Sequence, residues 1–263
     1  MSGFEASWLE LREPVDHRAR HAGLRRLAIE VLTRGEAEAT VVDLGCGTGS
    51  TFRALSPEAE NHQWRLVDND PLLLEEARVR HGRNERIEFM RLDLAALPAD
   101  VFSGARLVTA SALFDLVSAE MVEALSVQLG SGNTSLYAAL NYDGCCRWSS
   151  RDPADEVVVT AFNQHQRQDK GLGAALGPES GPALKTIVEA AGFKVLIAPS
   201  PWHFGPDDAE LQRQFIEGMA KAVAETRSLA PSLLENWRRN RLAQIDSSTC
   251  EVGHWDVLAL AGD

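Results

Sequence analysis

The chain has 263 residues, of which 44% are hydrophobic and 24% charged, and a formal net charge of −12. This is the composition of a globular protein with one large core, near the upper size for a single domain. The acidic balance disfavours nucleic acid, whose phosphates such a surface repels; no apolar run is long enough to cross a bilayer, and four cysteines without C-x-x-C spacing argue against a disulfide framework or a zinc knuckle.

The start, Met1-Ser2-Gly3-Phe4-Glu5, lacks the basic and then apolar pattern of a signal peptide, so a cytoplasmic location is expected. Trp8 to Pro14 reads as a short arm. Val15, Leu24, Leu27, Ala28, Val31 and Leu32 recur at near-helical spacing and predict one amphipathic helix over 15–34. Val41-Val42-Asp43-Leu44 is a short buried strand, and it breaks into Gly45-Cys46-Gly47-Thr48-Gly49. Glycine at every second position permits torsions that side chains forbid and lets a ligand approach the main chain. A helix over Ser50 to Leu55 completes the opening of a nucleotide-binding α/β unit. Cys46 inside that loop reads as a small apolar residue.

A second strand, Gln63 to Val67, runs into Asp68-Asn69-Asp70-Pro71, with Pro71 well placed in the first turn of a helix. Asp68 lies about 20 residues beyond the glycine loop, where a carboxylate can accept from both hydroxyls of a ribose. A third strand, Ile87 to Leu92, ends at Asp93-Leu94-Ala95, and a fourth, Arg106 to Ser111, leads into Ala112 to Val117. A helix over Glu120 to Leu129 and a fifth strand over Ser135 to Leu140 follow. The helix Pro182 to Ala191 precedes a sixth strand, Gly192 to Ile197. The alternation of Val252, His254, Asp256 and Leu258 marks a seventh strand over Val252 to Leu260. Helices over 208–226 and 230–245 come before it, positioned to cover a pocket or to form a homodimer interface.

The run D-x-G-x-G-x-G from Asp43 to Gly49 is not the dinucleotide G-x-G-x-x-G. With the acidic residues that close strands two and three, it resembles the first motifs of the class I S-adenosylmethionine-dependent methyltransferases. The resemblance covers roughly residues 40–140. It implies a three-layer, doubly wound α/β fold with a seven-stranded, mostly parallel sheet, an antiparallel last strand and helical insertions before it. It also implies S-adenosyl-L-methionine as cofactor and S-adenosyl-L-homocysteine as product. Asp43, Gly45, Cys46, Gly47 and Gly49 would cradle the cofactor, and Asp68 with Asn69 would take its ribose. Asp93 and the amide of Leu94 would take its adenine, and Ser111 lies on the segment beneath it. An arginine of the leading region would meet the methionine carboxylate; Arg12, Arg18 and Arg20 all qualify, and Arg20 stands for them in the candidate set.

The domain plan is a single methyltransferase domain over 1–263, with a helical arm over 1–39, the cofactor core over 40–140, a substrate lid over 141–181 and the rest of the sheet over 182–263. In open α/β sheets ligands bind beyond the carboxyl ends of the strands, so the lid sits where a substrate would enter. It carries Asn141, Tyr142, His165, Arg167 and Asp169; His165 and Asp169 share a helical face at i, i+4. His165 is the candidate general base, with Tyr142 or Asp115 orienting the acceptor. Asn141, Arg167 and His203 are candidate substrate contacts, while Trp202 and Phe204 could form an aromatic wall or pack as core. No histidine shows metal-ligand spacing, so no metal is expected. The reading is methyl transfer to oxygen or nitrogen of a small polar metabolite. Another transfer from a related cofactor, or a non-catalytic cofactor-binding regulator, are the alternatives.

Overall fold

The computed structural model describes residues 5–34, 38–56 and 58–262. Eight strands form one sheet: β1 (Thr40–Leu44), β2 (Gln63–Asp68), β3 (Ile87–Arg91), β4 (Ala105–Ser111), β5 (Ser135–Trp148), β6 (Lys194–Pro199), β7 (Trp202–Phe204) and β8 (Cys250–Leu260). Their order is β3-β2-β1-β4-β5-β8-β6, with β7 also paired to β8. The first five strands run parallel, and β8 is antiparallel to its neighbours. The chain leaves β1 toward β2 and β3 and then returns to β4, so the sheet's switch point lies between the carboxyl ends of β1 and β4.

Alternation along each strand divides the core between the two faces of the sheet. Val41, Leu107, Tyr137 and Leu258 belong to one apolar cluster; Val42, Val108, Leu136 and Val257 belong to the other. The second face is covered by α5 (Ala119–Ser131) and α7 (Ser180–Ala190). The first is covered by α2 (Ala22–Thr33), α3 (Ser50–Leu55), α8 (Ala209–Thr226) and α9 (Pro231–Ala243). The remaining helices are α1 (Ala6–Ala19), α4 (Pro71–His81) and α6 (Asp155–Gln166). Among the described residues no helix is long and apolar enough to cross a membrane.

Three expectations change. The single helix over 15–34 is two, and the arm at Trp8 is part of the first of them. Arg20 and His21 are extended, His21 Nδ1 caps α2 by accepting from Leu24 N at 3.2 Å, and His21 N donates to Asp256 Oδ2 at 2.9 Å. The seven strands are eight, because the sixth strand continues past Pro199-Ser200-Pro201 as β7 along the same edge of β8. Prolines have no N–H for the ladder; Ser200 N keeps the segment attached by donating to His254 O at 2.8 Å. Finally, the first part of the expected lid is sheet, since β5 runs on to Trp148 through bulges opposite β8.

One side chain fixes these junctions. Asp256 is fully buried on β8 and accepts from His21 N, from Tyr137 Oη at 2.9 Å and from Leu140 N at 2.9 Å. Leu140 stands at the bulge with φ +57°, and the carboxylate takes the N–H that the irregular ladder cannot. Asp256→Ala would leave three buried donors unpaired. We expect a loss of about 3–5 kcal/mol in urea denaturation, and a change below 1 kcal/mol would show that water or a shifted backbone takes the carboxylate's place.

Candidate active site

At the switch point, backbone and side chains build a polar floor. The register sets Thr109 opposite Asp43, and Thr109 Oγ1 donates to Asp43 Oδ1 at 2.7 Å. Asp43 Oδ2 is buried without a partner. Burial pushes this carboxyl up to about 7, against the opposing pull of the Thr109 hydroxyl and the Arg20 charge. Arg20, also buried, donates through Nη2 to Ser111 Oγ at 3.1 Å and reaches Thr51 Oγ1 at 3.5 Å. Its Nε and Nη1 are buried with no partner.

The glycine turn sits above this floor. Gly45, Gly47 and Gly49 all have positive φ, and Leu9 of α1 would lie 3.0 Å from a Cβ at Gly47. Glycine is needed there for both torsion and space. Cys46 is buried, and burial raises its thiol well above the ordinary range. Asp68 Oδ2 accepts from Gly47 N at 2.8 Å, while Oδ1 accepts from Asp70 N at 2.9 Å. Asn69 and Asp93 are exposed; Asp93 Oδ1 caps a short turn by accepting from Ala95 N at 3.0 Å, and Leu94 is buried beside Gly45. Helix α1 is tied down over the turn by the ion pair of Glu13 with Arg53, whose Nη1 also donates to Thr48 O at 2.6 Å.

Beyond Ala112 and Leu140 opens a cavity of about 760 Å³. Its walls are the rings of Trp8, Tyr142, Phe162, Trp202 and Phe215, with Arg12, Asp115 and His254 among them. Asp115 Oδ1 is buried without a partner, and burial pushes the carboxyl up to about 6 against the charge of Arg12. Tyr142 donates its hydroxyl to Asn163 Oδ1 at 2.9 Å, and burial raises its pKa. His254 is buried beside Trp202, ring centroids 4.7 Å apart, and burial with the nearby Arg12 charge lowers it to about 3.

The structure therefore brings Asp43, the glycines, Asp68, Leu94, Ser111 and Arg20 together around the glycine turn, and Asp115 and Tyr142 to the cavity beside it. The three leading arginines separate: Arg20 lies under the turn, Arg12 lines the cavity, and Arg18 faces outward to pair with Asp208. Five other residues singled out in the sequence do not line the cavity. His165 lies near the end of α6 and meets Glu225 at 3.0 Å, because Phe162 and Gln166, one turn apart, are the residues on the cavity side. Helix α6 stops at Gln166, so Asp169 does not share a helical face with His165; it closes a turn by accepting from Gly171 N at 2.7 Å. Arg167 is exposed and pairs with Glu179. His203 alternates outward between buried Trp202 and Phe204 on β7. Asn141 is fully buried and donates to Ala138 O and Trp255 O. Sequence reasoning left His254 as one residue of a strand alternation; the signal available was a histidine on the same face as Val252.

Comparison with known proteins agrees with this geometry. Residues 41–127 match the family model described as a methyltransferase domain. Solved structures share the fold. YcgJ from Bacillus subtilis is 14% identical with a TM-score of 0.53, over 92% of this chain and 100% of that one. A putative methyltransferase from Bacillus halodurans is 13% identical with a TM-score of 0.52, over 89% of this chain and 96% of that one. A phosphoethanolamine N-methyltransferase from Haemonchus contortus, solved with phosphomonomethylethanolamine and S-adenosylhomocysteine, is 12% identical with a TM-score of 0.50, over 99% of this chain and 58% of that one. No curated protein matches the chain in sequence.

The buried Asp43 has a consequence for stability. The folded chain keeps its proton up to about pH 7, whereas the unfolded chain releases it above 3.8. Rising pH in that window therefore favours the unfolded state. Asp43→Asn keeps an oxygen for Thr109 and cannot ionise, so its stability relative to the parent should rise from about pH 4 to about pH 7. Comparing variant with parent cancels the opposite slope of His254, which resists protonation only when folded. Parallel urea-denaturation curves across the window would refute the assignment.

Proposed function

We infer that this chain, a class I S-adenosylmethionine-dependent methyltransferase, moves the methyl group to oxygen or nitrogen of a small molecule. One observation carries the site assignment: a basic and an acidic side chain with atoms that lack hydrogen-bond partners, Arg20 Nε and Nη1 and Asp43 Oδ2, lie buried under a glycine turn. Thr51 lies within reach of both. Unpaired buried polar groups are costly, and an amino-acid end carrying one carboxylate and one ammonium satisfies both sets. Arg20 and Ser111 then take the carboxylate, and the ammonium lies toward Asp43 and Gly45. Each oxygen of Asp68 has a second lone pair beyond its backbone partner, which leaves acceptors for a ribose diol. Asp93 and the amide of Leu94 take the adenine.

S-adenosylmethionine, when bound, supplies a methyl on a positively charged sulfur that is already electrophilic. The work left to the chain is to place an acceptor lone pair in line and to exclude water. The cavity reached past Ala112 and Leu140 suits that work, and Asp115 and Tyr142 are the earlier candidates that line it. Its ring-rich walls narrow the expected small polar metabolite to a molecule with a polar head on an apolar body. His165, Arg167, Asn141 and His203 take no part in this reading, because none of them lines the cavity.

Titration calorimetry with S-adenosylmethionine and S-adenosylhomocysteine tests the reading. Micromolar binding of both is expected, weakened at least tenfold in Asp68→Ala and in Arg20→Leu. Folded protein that binds neither ligand would overturn it.

A further inference from the structure

The polar groups of the cavity differ in what they have left to offer. Tyr142 has given its proton to Asn163. Arg12 donates from Nε to Asp16 Oδ2 at 2.8 Å and stacks over Trp202 at 5.2 Å, while the Trp202 indole N–H donates to Asp16 Oδ1 at 2.9 Å. His254 is in another position. Its Nδ1 lies 3.0 Å from Val252 O, and a carbonyl oxygen only accepts, so the ring proton is on Nδ1. Nε2 is then a lone pair with no hydrogen bond among the described residues. The ring is 5% exposed, lines the cavity and stands between the rings of Trp202 and Tyr142.

A lone pair that opens on a ring-lined cavity can be met by a donor on a ring-bearing ligand. We propose that His254 Nε2 receives the hydrogen bond of an uncharged aromatic hydroxyl, a phenol-type acceptor whose ring is held among Trp8, Phe162, Trp202 and Phe215. The proposal rests on the methyltransferase reading for the purpose of the cavity and names the class of molecule that enters it. Arg12 and Asp115 line the same cavity with opposite charges, so neither sign of ligand charge is selected over the other. Burial keeps His254 neutral down to about pH 3, so the lone pair is available throughout the physiological range. A hydroxyl that donates here has its position fixed by a side chain on a strand in the middle of the sheet.

The test uses the full chain saturated with S-adenosylhomocysteine and three probes: 2-naphthol, 2-methoxynaphthalene and benzyltrimethylammonium. Affinities come from ligand-observed NMR titration. The naphthol is expected to bind about tenfold more tightly than its methyl ether, the size of one buried hydrogen bond, and the ammonium more weakly than either. In His254→Phe the ratio of naphthol to ether should fall to near one. In His254→Gln, whose amide oxygen still accepts, the ratio should return in part, which a merely structural role for His254 would not produce. Equal affinities in the parent, a ratio that survives in His254→Phe, or tightest binding of the ammonium would each overturn the proposal. Binding of S-adenosylhomocysteine is read separately: if it binds and the naphthol ratio is absent, only this proposal fails, and if it does not bind, the methyltransferase reading fails.

Discussion

The buried carboxylate of Asp256 is the interaction on which the site's geometry depends. It gathers the α1–α2 junction through His21 N, strand β5 through Tyr137, and the β5 bulge through Leu140 N. Tyr137 and Leu140 are fully buried and His21 partly so, and buried donors of this kind are nearly always paired. The carboxylate is what allows α1 to leave α2 at that angle and run back across the carboxyl ends of the strands. It also holds Leu140 at positive φ, a conformation that costs a β-carbon residue on the order of 1–2 kcal/mol. Both outcomes shape the acceptor side: Leu140 forms part of the cavity wall, and α1 contributes Trp8 and Arg12 to it.

Helix α1 thereby meets both halves of the site. One side of it lies over the glycine turn, with Leu9 against Gly47 and Glu13 paired to Arg53. Another side supplies Trp8 and the Arg12–Asp16 pair to the cavity, and Trp202 on β7 donates to the same Asp16. The same helix therefore borders both the glycine turn and the cavity. The partly buried Glu13–Arg53 pair is oriented by a second bond from Arg53 to Thr48 O, which ties the helix to the turn backbone rather than to another mobile side chain.

The part of this arrangement that was legible in the sequence is the part governed by local rules. Short, mostly apolar runs that close at glycine, aspartate or serine gave the first four strands nearly to the residue, and Pro71 after Asp70 marked the start of α4. The glycine turn was legible because its torsions demand a residue type. The division of 15–34 into two helices was not, since Arg20 and His21 are ordinary helix residues; the break is imposed by Asp256, which lies far along the chain. The run of β5 past Leu140 was hidden for the same reason, because its partner β8 arrives at the end of the chain. His165 drew attention by belonging to a polar loop, yet its helical phase turns it toward Glu225. His254 gave no local signal, because what gives it meaning is Val252 O on one side and the cavity on the other.

The site is also where the chain departs from what stability alone would choose. Arg20 and Asp43 keep buried atoms unpaired, Asp115 holds an unpaired oxygen, and Ala112 and Leu140 both occupy the left-handed region without being glycine. Elsewhere in the same sheet Thr134 Oγ1 donates to Ala105 O and the Asn141 amide nitrogen to Ala138 O and Trp255 O, while Asn141 Oδ1 is left without a partner. Unpaired groups scattered at random would be poor packing. Here three of the residues with unpaired buried atoms, Arg20, Asp43 and Asp115, and two of the four non-glycine residues at positive φ, Ala112 and Leu140, lie between the glycine turn and the cavity. Strain and unpaired charge persist in a fold only when surrounding structure enforces them, and Asp256, the Thr109 pair and the clamp on α1 supply that enforcement. On the proposed function, the amino-acid end of the cofactor would lie at one end of this stretch and the methyl acceptor in the cavity at the other.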